Sequence, residues 1–421
     1  MNKKVFPATY IVGGPLEIVL KSGEVYTIGK RIKEKEKIFI PEGKRIPLEV
    51  VRDAEIEFSR DVELNSLPKR TIPEDWDSVV RYIMEKKINT LLIFGEVDTG
   101  KTFFSTYLTN KLVENSLRVS VLDCDTGQSD IGLPGSLGVT VFKEPVLFMP
   151  DVEPDGLFFV GSHSPSEHLL HYSAGFVKMV NFGLKNSDVV IIDTPGWVQS
   201  DGGRALRRTE IEILQGLDTN YCVVLLQRAN ELEHLVKGIL AERIIRLTVS
   251  KKASPTSVEE RQKLREFIYK RYFTNSKIVD FSFGEIFTDR SYFLSGFEID
   301  VKKFGKNIVW VERLSNWEGV FVVSEKELKK AAIEKLKKQL GVGRVLVSTK
   351  QNYQGIVCAL LNSSCDVIGF CMIEDIDFLN KKIYIRTPLY SSKDKIKGIQ
   401  FGSIRVNSLG EESGFVVPGT V

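Results

Sequence analysis

The stretch Gly95-Glu-Val-Asp-Thr-Gly-Lys-Thr102 constrains this chain more than any other, because of what flanks it. Leu91-Leu92-Ile93-Phe94 before it reads as a buried strand, and Lys101-Thr102-Phe103 after it opens a helical pattern. Gly-x4-Gly-Lys-Thr in that setting is a phosphate-binding loop. Its glycines let successive N–H groups turn inward around an anion, and the helix N-terminus adds favourable potential. A nucleoside triphosphate is expected along Gly95, Glu96, Val97, Asp98, Thr99, Gly100, Lys101, Thr102 and Phe103. Lys101 would reach the β- and γ-phosphates, and the Thr102 hydroxyl would hold Mg²⁺. A chance glycine turn before a helix is the rival reading, and the presence of strand, loop and helix together weighs against it.

At 421 residues the chain exceeds one comfortable core, so two or three domains are expected. Residues 1–68 alternate apolar and polar residues in short runs broken by glycine turns, as in LEIVLKSGEVYTIG and KIFIPEGKRIPLEVV, which predicts a small N-terminal β domain. A proline-marked linker then leads to a helix with Trp76, Val79, Val80, Ile83 and Met84 on its apolar side. From about residue 88, the apolar strands NTLLIFG, RVSVLDCD, DVVIIDTP, YCVVLLQ and RIIRLTVS follow. Between several of them lie the helical patterns KTFFSTYLTNKLVEN, ALRRTEIEILQGL and ELEHLVKGILA. The fold class is therefore α/β, with a parallel sheet covered on both faces in a central domain over 69–285. Residues 286–421 return to strand-like runs with one charged helix, SEKELKKAAIEKLKKQLG, and predict a β-rich C-terminal domain.

Composition narrows the setting. No apolar run approaches the roughly 20 residues that cross a bilayer, so no membrane association is expected. Five cysteines are scattered without a CxxC pair, which argues against zinc and disulfides and for a reducing, cytoplasmic location. A net charge of +3 is too small to announce a nucleic-acid protein, so any such binding needs a local basic patch.

Three acidic residues end predicted strands. Asp123 and Asp125 close VLDCD, where two residues of spacing on a strand would put both on one face. Asp193 closes DVVIID and has the position of the acid that serves a bound metal. Two of the three are expected to carry chemistry, with Asp123 and Asp193 both open as metal ligands. Asp-Thr-Pro-Gly also suggests a GTPase, but no Asn-Lys-x-Asp motif follows to read guanine.

GEVDTGKT, DCDTGQSDIGLPG, GSHSPSEH, DTPGW and SPTSVEERQKLREFIYKRYF stand in the order seen in polynucleotide 5′-hydroxyl kinases, and the chain resembles that family over nearly its whole length. The resemblance implies that Asp125 is the general base, that Gln128 positions the 5′ end, and that Trp197 stacks on a terminal base. Burial of Trp197 as core is the alternative. It further implies a lid around 251–273, in which Arg261 and Arg265, four apart and so on one helix face, close over the phosphates. The family's substrate clasp carries Thr-x-Asn, whereas this chain has Ser166-Glu167-His168; Ser166 and His168 retain hydrogen-bonding capacity there. Asp193 stands where many members have Asn. Lys251, Lys252, Arg204, Arg207, Arg208 and Arg271 are expected along a path for nucleic-acid phosphates. The activity implied is transfer of the γ-phosphoryl group of ATP, with Mg²⁺, to the 5′-hydroxyl of RNA, with DNA a further acceptor. The alternatives are a kinase of a small-molecule hydroxyl and a non-catalytic ATP-binding scaffold in RNA processing.

Overall fold

A computed structural model describes all residues except 68, 251, 252, 254, 315–318, 418 and 419, and the side chain of Asp151. The expected phosphate contacts of Lys251 and Lys252 fall outside the described residues. The chain divides into two compact units, Met1–Asp125 with Gly138–Asp155 and Phe176–Thr256, and Thr126–Leu137 with Gly156–Gly175 and Ser257–Val421. These units cut across the boundaries expected at 68/69 and 285/286.

In the first unit, residues 1–67 form a seven-stranded sheet built on two long antiparallel strands, Leu16–Thr27 and Arg45–Phe58. Their alternation delivers Leu16, Ile18 and Leu20 and the facing Ala54, Ile56 and Phe58 to one buried side. Helix α1 (Asp75–Lys86) follows and buries Trp76, Val79 and Ile83, spaced to lie on one face; Met84 is exposed instead. The Trp76 indole donates to the Thr248 carbonyl at 3.1 Å, so its one polar atom is satisfied.

The central sheet runs Ser136–Phe142, Val119–Asp123, Val189–Asp193, Thr90–Phe94, Tyr221–Gln227 and Ile244–Thr248. Three of these strands are buried at every residue on the two sides of the loop-bearing one, as near-continuous apolar runs require. The sheet is mixed, not purely parallel: Ser136–Phe142 pairs antiparallel with Val119–Asp123. Residues 124–135 contain no helix to carry the chain back, so the strand that follows returns in the opposite direction.

Helix α2 (Lys101–Glu114) opens directly from the glycine loop and is buried on almost every side. The Asn110 amide donates to Ile28 O at 2.7 Å and Val146 O at 2.8 Å, tying the helix to the N-terminal sheet and to the loop after Phe142. The hydroxyls of Ser105, Thr106 and Thr109 return to the carbonyls one turn back, which lets polar residues sit inside. Helix α3 (Leu169–Asn186) is absent from the sequence reading, and α4 (Asp201–Gly216) starts earlier than expected because Ser200 accepts from Gly203 N at 3.1 Å as an N-cap. ELEHLVKGILA does not form a helix. It holds one short 3-10 turn, Glu233–Leu235, and a second, Ala241–Arg243, begins only at its last residue, because Arg246 and Gln227 grip Glu233 and Gly238 takes φ +84°.

In the second unit, six strands order as Lys277–Ser282, Lys382–Thr387, Val367–Asp377, Ile356–Leu361, Gly398–Val406 and Phe287–Asp289, with Glu412–Phe415 added beside Gly398–Val406. Helix α5 (Val258–Phe273), started by a capping box of Ser257 and Glu260, packs Tyr269 and Phe273 into a core with Leu133, Val357 and Phe370. That shared core is why α5 and 126–137 belong with the C-terminal strands. The charged helix α6 (Lys330–Leu340) crosses between the parallel strands Gly319–Ser324 and Arg344–Thr349.

Candidate active site

The loop Gly95–Thr102 lies between the strand Thr90–Phe94 and α2. Gly100 takes φ +85°, a conformation that side chains resist, and turns the backbone from loop into helix. The Thr99 hydroxyl donates to Glu96 O at 2.9 Å and braces the loop from inside. Asp98, at φ +59°, accepts from the Thr256 amide at 2.7 Å and its hydroxyl at 3.1 Å, and Arg228 donates to Asp98 O. Thr256 and Arg228 were not anticipated, since nothing in their own segments announces a contact with residue 98.

Lys101 is 7% exposed, and its ammonium donates to Gly95 O at 3.0 Å and Glu96 O at 2.9 Å. Burial pushes its pKa below the usual lysine range, with Asp193 and Asp125 opposing the shift and Arg207 adding to it. The Thr102 hydroxyl donates to Asp193 Oδ2 at 2.6 Å. Asp193 and Asp123 are register partners on adjacent parallel strands, so their side chains leave the same face at the sheet's C-terminal edge. The strand itself stops at Asp123, whose Oδ1 accepts from Asp125 N at 2.9 Å. Asp125 therefore sits on the turn beyond the sheet, and the strand-face argument does not reach it. It is half-buried and acts on the Lys101 charge.

Hydroxyl and carboxylate oxygens suit a hard cation such as Mg²⁺, which takes one or two carboxylates and leaves its other positions to phosphates and water. Among the described residues no group of three or more His, Cys, Asp or Glu forms a metal cage, as a cation shared with a nucleotide would not need one. A cavity of about 640 Å³ adjoins the loop, with Thr99, Gly100 and Phe103 on one side and Trp76, Ile46 and Pro47 on others.

Trp197, on the loop after Val189–Asp193, is half-buried with its ring edge against Gly202 of α4. Arg207 departs from expectation. It is fully buried, paired with Glu210 at 3.0 Å and lying 5.5 Å over the Phe94 ring, so it cannot line a path for phosphates. It faces inward on α4 with Leu206, Ile211 and Leu214, where a charge persists only when paired. Arg204 and Arg208 remain exposed.

In the second unit, Gln128 Nε2 donates to Arg261 O at 3.2 Å, which brings two of the expected residues together. Arg265 is held by Glu412, a residue the sequence did not single out. Ser166 is exposed and shares a hydrogen bond with Ser164, while His168 Nε2 lies 2.9 Å from Ser403 Oγ on the C-terminal sheet.

His163 lies 2.9 Å from the Tyr269 hydroxyl, which itself donates to Pro134 O, so the imidazole Nε2 is the donor to Tyr269. Burial, aided by Arg265, pushes its pKa down to about 3. Glu412 stands 3.8 Å from Nδ1, but its charge is already committed to Arg265. A histidine held neutral in the fold and titrating near 6.5 when unfolded costs stability as pH falls through 6.5. Between pH 7 and pH 5 this one group should remove about 2 kcal/mol. Denaturant midpoints over that range should fall for the wild type and fall less for His163→Gln, which keeps a donor for Tyr269 without a titration. Parallel curves for the two proteins would refute the assignment.

Residues 95–275 match the family model described as "mRNA cleavage and polyadenylation factor CLP1 P-loop". The chain is 32% identical over 357 residues to the polyribonucleotide 5′-hydroxyl-kinase of Pyrococcus horikoshii, a match that covers 82% of this chain and 94% of that protein. It is 30% identical over 358 residues to the Pyrococcus abyssi protein of the same name, covering 82% and 96%. A shorter match, 32% over 115 residues, covers 27% of this chain and 16% of the human polynucleotide 5′-hydroxyl-kinase NOL9. Among solved structures, Clp1p in its complex with Pcf11p superposes with a TM-score of 0.65 at 13% identity, covering 96% of this chain and 98% of that one, which shows a shared fold.

Proposed function

Because the chain belongs to the polyribonucleotide 5′-hydroxyl-kinase family, we propose that the residues gathered at the C-terminal edge of its central sheet carry phosphoryl transfer from ATP to the 5′-hydroxyl of RNA. The protein is an ATP-dependent polynucleotide 5′-hydroxyl kinase. The observation that carries the site assignment is the convergence of the Lys101 ammonium, the Thr102–Asp193 pair and Asp123 on one sheet edge, with Asp125 on the adjoining turn.

In this reading the triphosphate lies over Gly95–Thr102, and the base enters the cavity between Phe103, Trp76 and Ile46. Thr102 and Asp193 would hold Mg²⁺, which supplies positive charge for the β- and γ-phosphate oxygens. Asp123 holds the turn that carries Asp125. Asp125 accepts the proton of the 5′-hydroxyl as the new oxygen–phosphorus bond forms and the bond from the γ-phosphorus to its bridging oxygen breaks. Lys101 holds the negative charge that accumulates on the departing diphosphate, and Arg261 and Arg265 hold that on the moving phosphoryl oxygens. Gln128, Ser166, His168 and Trp197 orient the acceptor end, and stacking on Trp197 suits an enzyme that takes many sequences. DNA is a further acceptor in the proposal. A reducing, cytoplasmic setting is part of the proposal.

The test is incubation with γ-labelled ATP and, separately, 5′-hydroxyl RNA, matched DNA and a nucleoside. Label should enter the RNA and depend on added Mg²⁺. Label entering the nucleoside alone would refute the polymer reading.

A further inference from the structure

Helix α5 carries the two arginines assigned to the moving phosphoryl group, and the last hairpin of the chain grips that helix at two places. Gly410, at φ +82°, lies so close that a β-carbon there would stand 2.6 Å from Lys270 N. Two residues later the Glu412 amide donates to Glu266 Oε1 at 3.2 Å, and the Glu412 carboxylate takes Arg265 side-on, Nε to Oε1 at 2.5 Å and Nη2 to Oε2 at 3.2 Å. Both side chains of the pair are less than one-fifth exposed, so it is not a solvent-screened surface contact. A side-on carboxylate occupies one edge of the planar guanidinium. The end edge, formed by Nη1 and the outer hydrogen of Nη2, then points in a direction the carboxylate has set.

We propose that Glu412 is a positioning residue for Arg265, fixing the plane and direction of its guanidinium for the transferred phosphoryl group; this rests on the kinase reading above. A flexible arginine that must find its orientation at each turnover loses rate, whereas one already oriented does not. Glu412 touches no substrate in this scheme, and its whole effect passes through Arg265.

The experiment is a double-mutant cycle in kcat and KM with 5′-hydroxyl RNA, using wild type, Glu412→Gln, Arg265→Ala and the double variant. Glu412→Gln should lower kcat on the order of 10-fold while both KM values stay within about 2-fold. On the Arg265→Ala background the same change should cost less than about 2-fold, because its target is gone. Glu412→Asp, which keeps the charge on a shorter arm, should fall between wild type and Gln. It carries the cycle alone should Gln not fold. An unchanged kcat, a raised kcat, or equal losses with and without Arg265 would each overturn the proposal while wild-type transfer leaves the kinase reading intact. A wild-type protein that transfers no phosphoryl group to RNA would overturn both.

Discussion

Replacing Lys101 with Met is expected to reduce phosphoryl transfer by about 10³-fold or more, since it removes the cation held against the phosphate loop where charge accumulates. The fold should survive, but not because the lysine points into open water, as a loop lysine might. It is buried, with its ammonium bonded to Gly95 O and Glu96 O, and burial already works against its charge. Methionine keeps most of the stem's packing and deletes a charge that is costly to bury, which offsets part of the loss from two unpaired carbonyls. Single-turnover rates, read beside thermal midpoints, check both halves of the statement. Turnover near the wild-type rate would mean that Gly95–Thr102 is not the catalytic nucleotide site.

Asp125→Asn should slow chemistry by about 10²- to 10⁴-fold while ATP binding is largely kept, because the side chain retains its size and loses only its capacity to take a proton. The comparison that gives this force is Asp123→Asn. Asp123 is buried in register with Asp193 and holds the Asp125 amide. Its loss should therefore disturb where Asp125 stands, lowering kcat through geometry and altering Mg²⁺ dependence if it helps to hold the cation. Pre-steady-state rates across a Mg²⁺ series separate the two. If Asp123→Asn abolishes the chemical step and Asp125→Asn leaves it intact, the base is Asp123.

What the sequence made legible was whatever is local. The phosphate loop needs only eight consecutive residues between a strand and a helix, and all three parts occur where the spacing put them. The strand Tyr221–Gln227 is fully apolar apart from its ends, and it spans the same residues as the run read from the sequence. Helix α3 was illegible because Gly175 and Gly183 look like breaks. Gly183 instead lets the helix approach Val190, where a β-carbon would come within 3.0 Å. Arg207 was misread because a run of arginines says nothing about which of them faces inward; only the packing of α4 decides that. Glu412 stood beyond reach for a different reason. It meets Arg265 across 147 residues of chain, and no periodicity or motif records a contact of that span.

The covering of α2 sets a limit on what can be cut from this protein. A phosphate-loop helix ordinarily has one face for the sheet and one for water, yet here Tyr107 and Asn110 are also sealed, in part by Ile28 and Gly29 of the N-terminal region. Shortened to begin at residue 69, the chain would uncover a tyrosine and leave an amide deprived of its Ile28 partner, a sticky patch on the very helix that starts at the nucleotide. The N-terminal strands are thus less an accessory module than a solubilising cover, and the smallest portable form of the enzyme starts well before its catalytic motif.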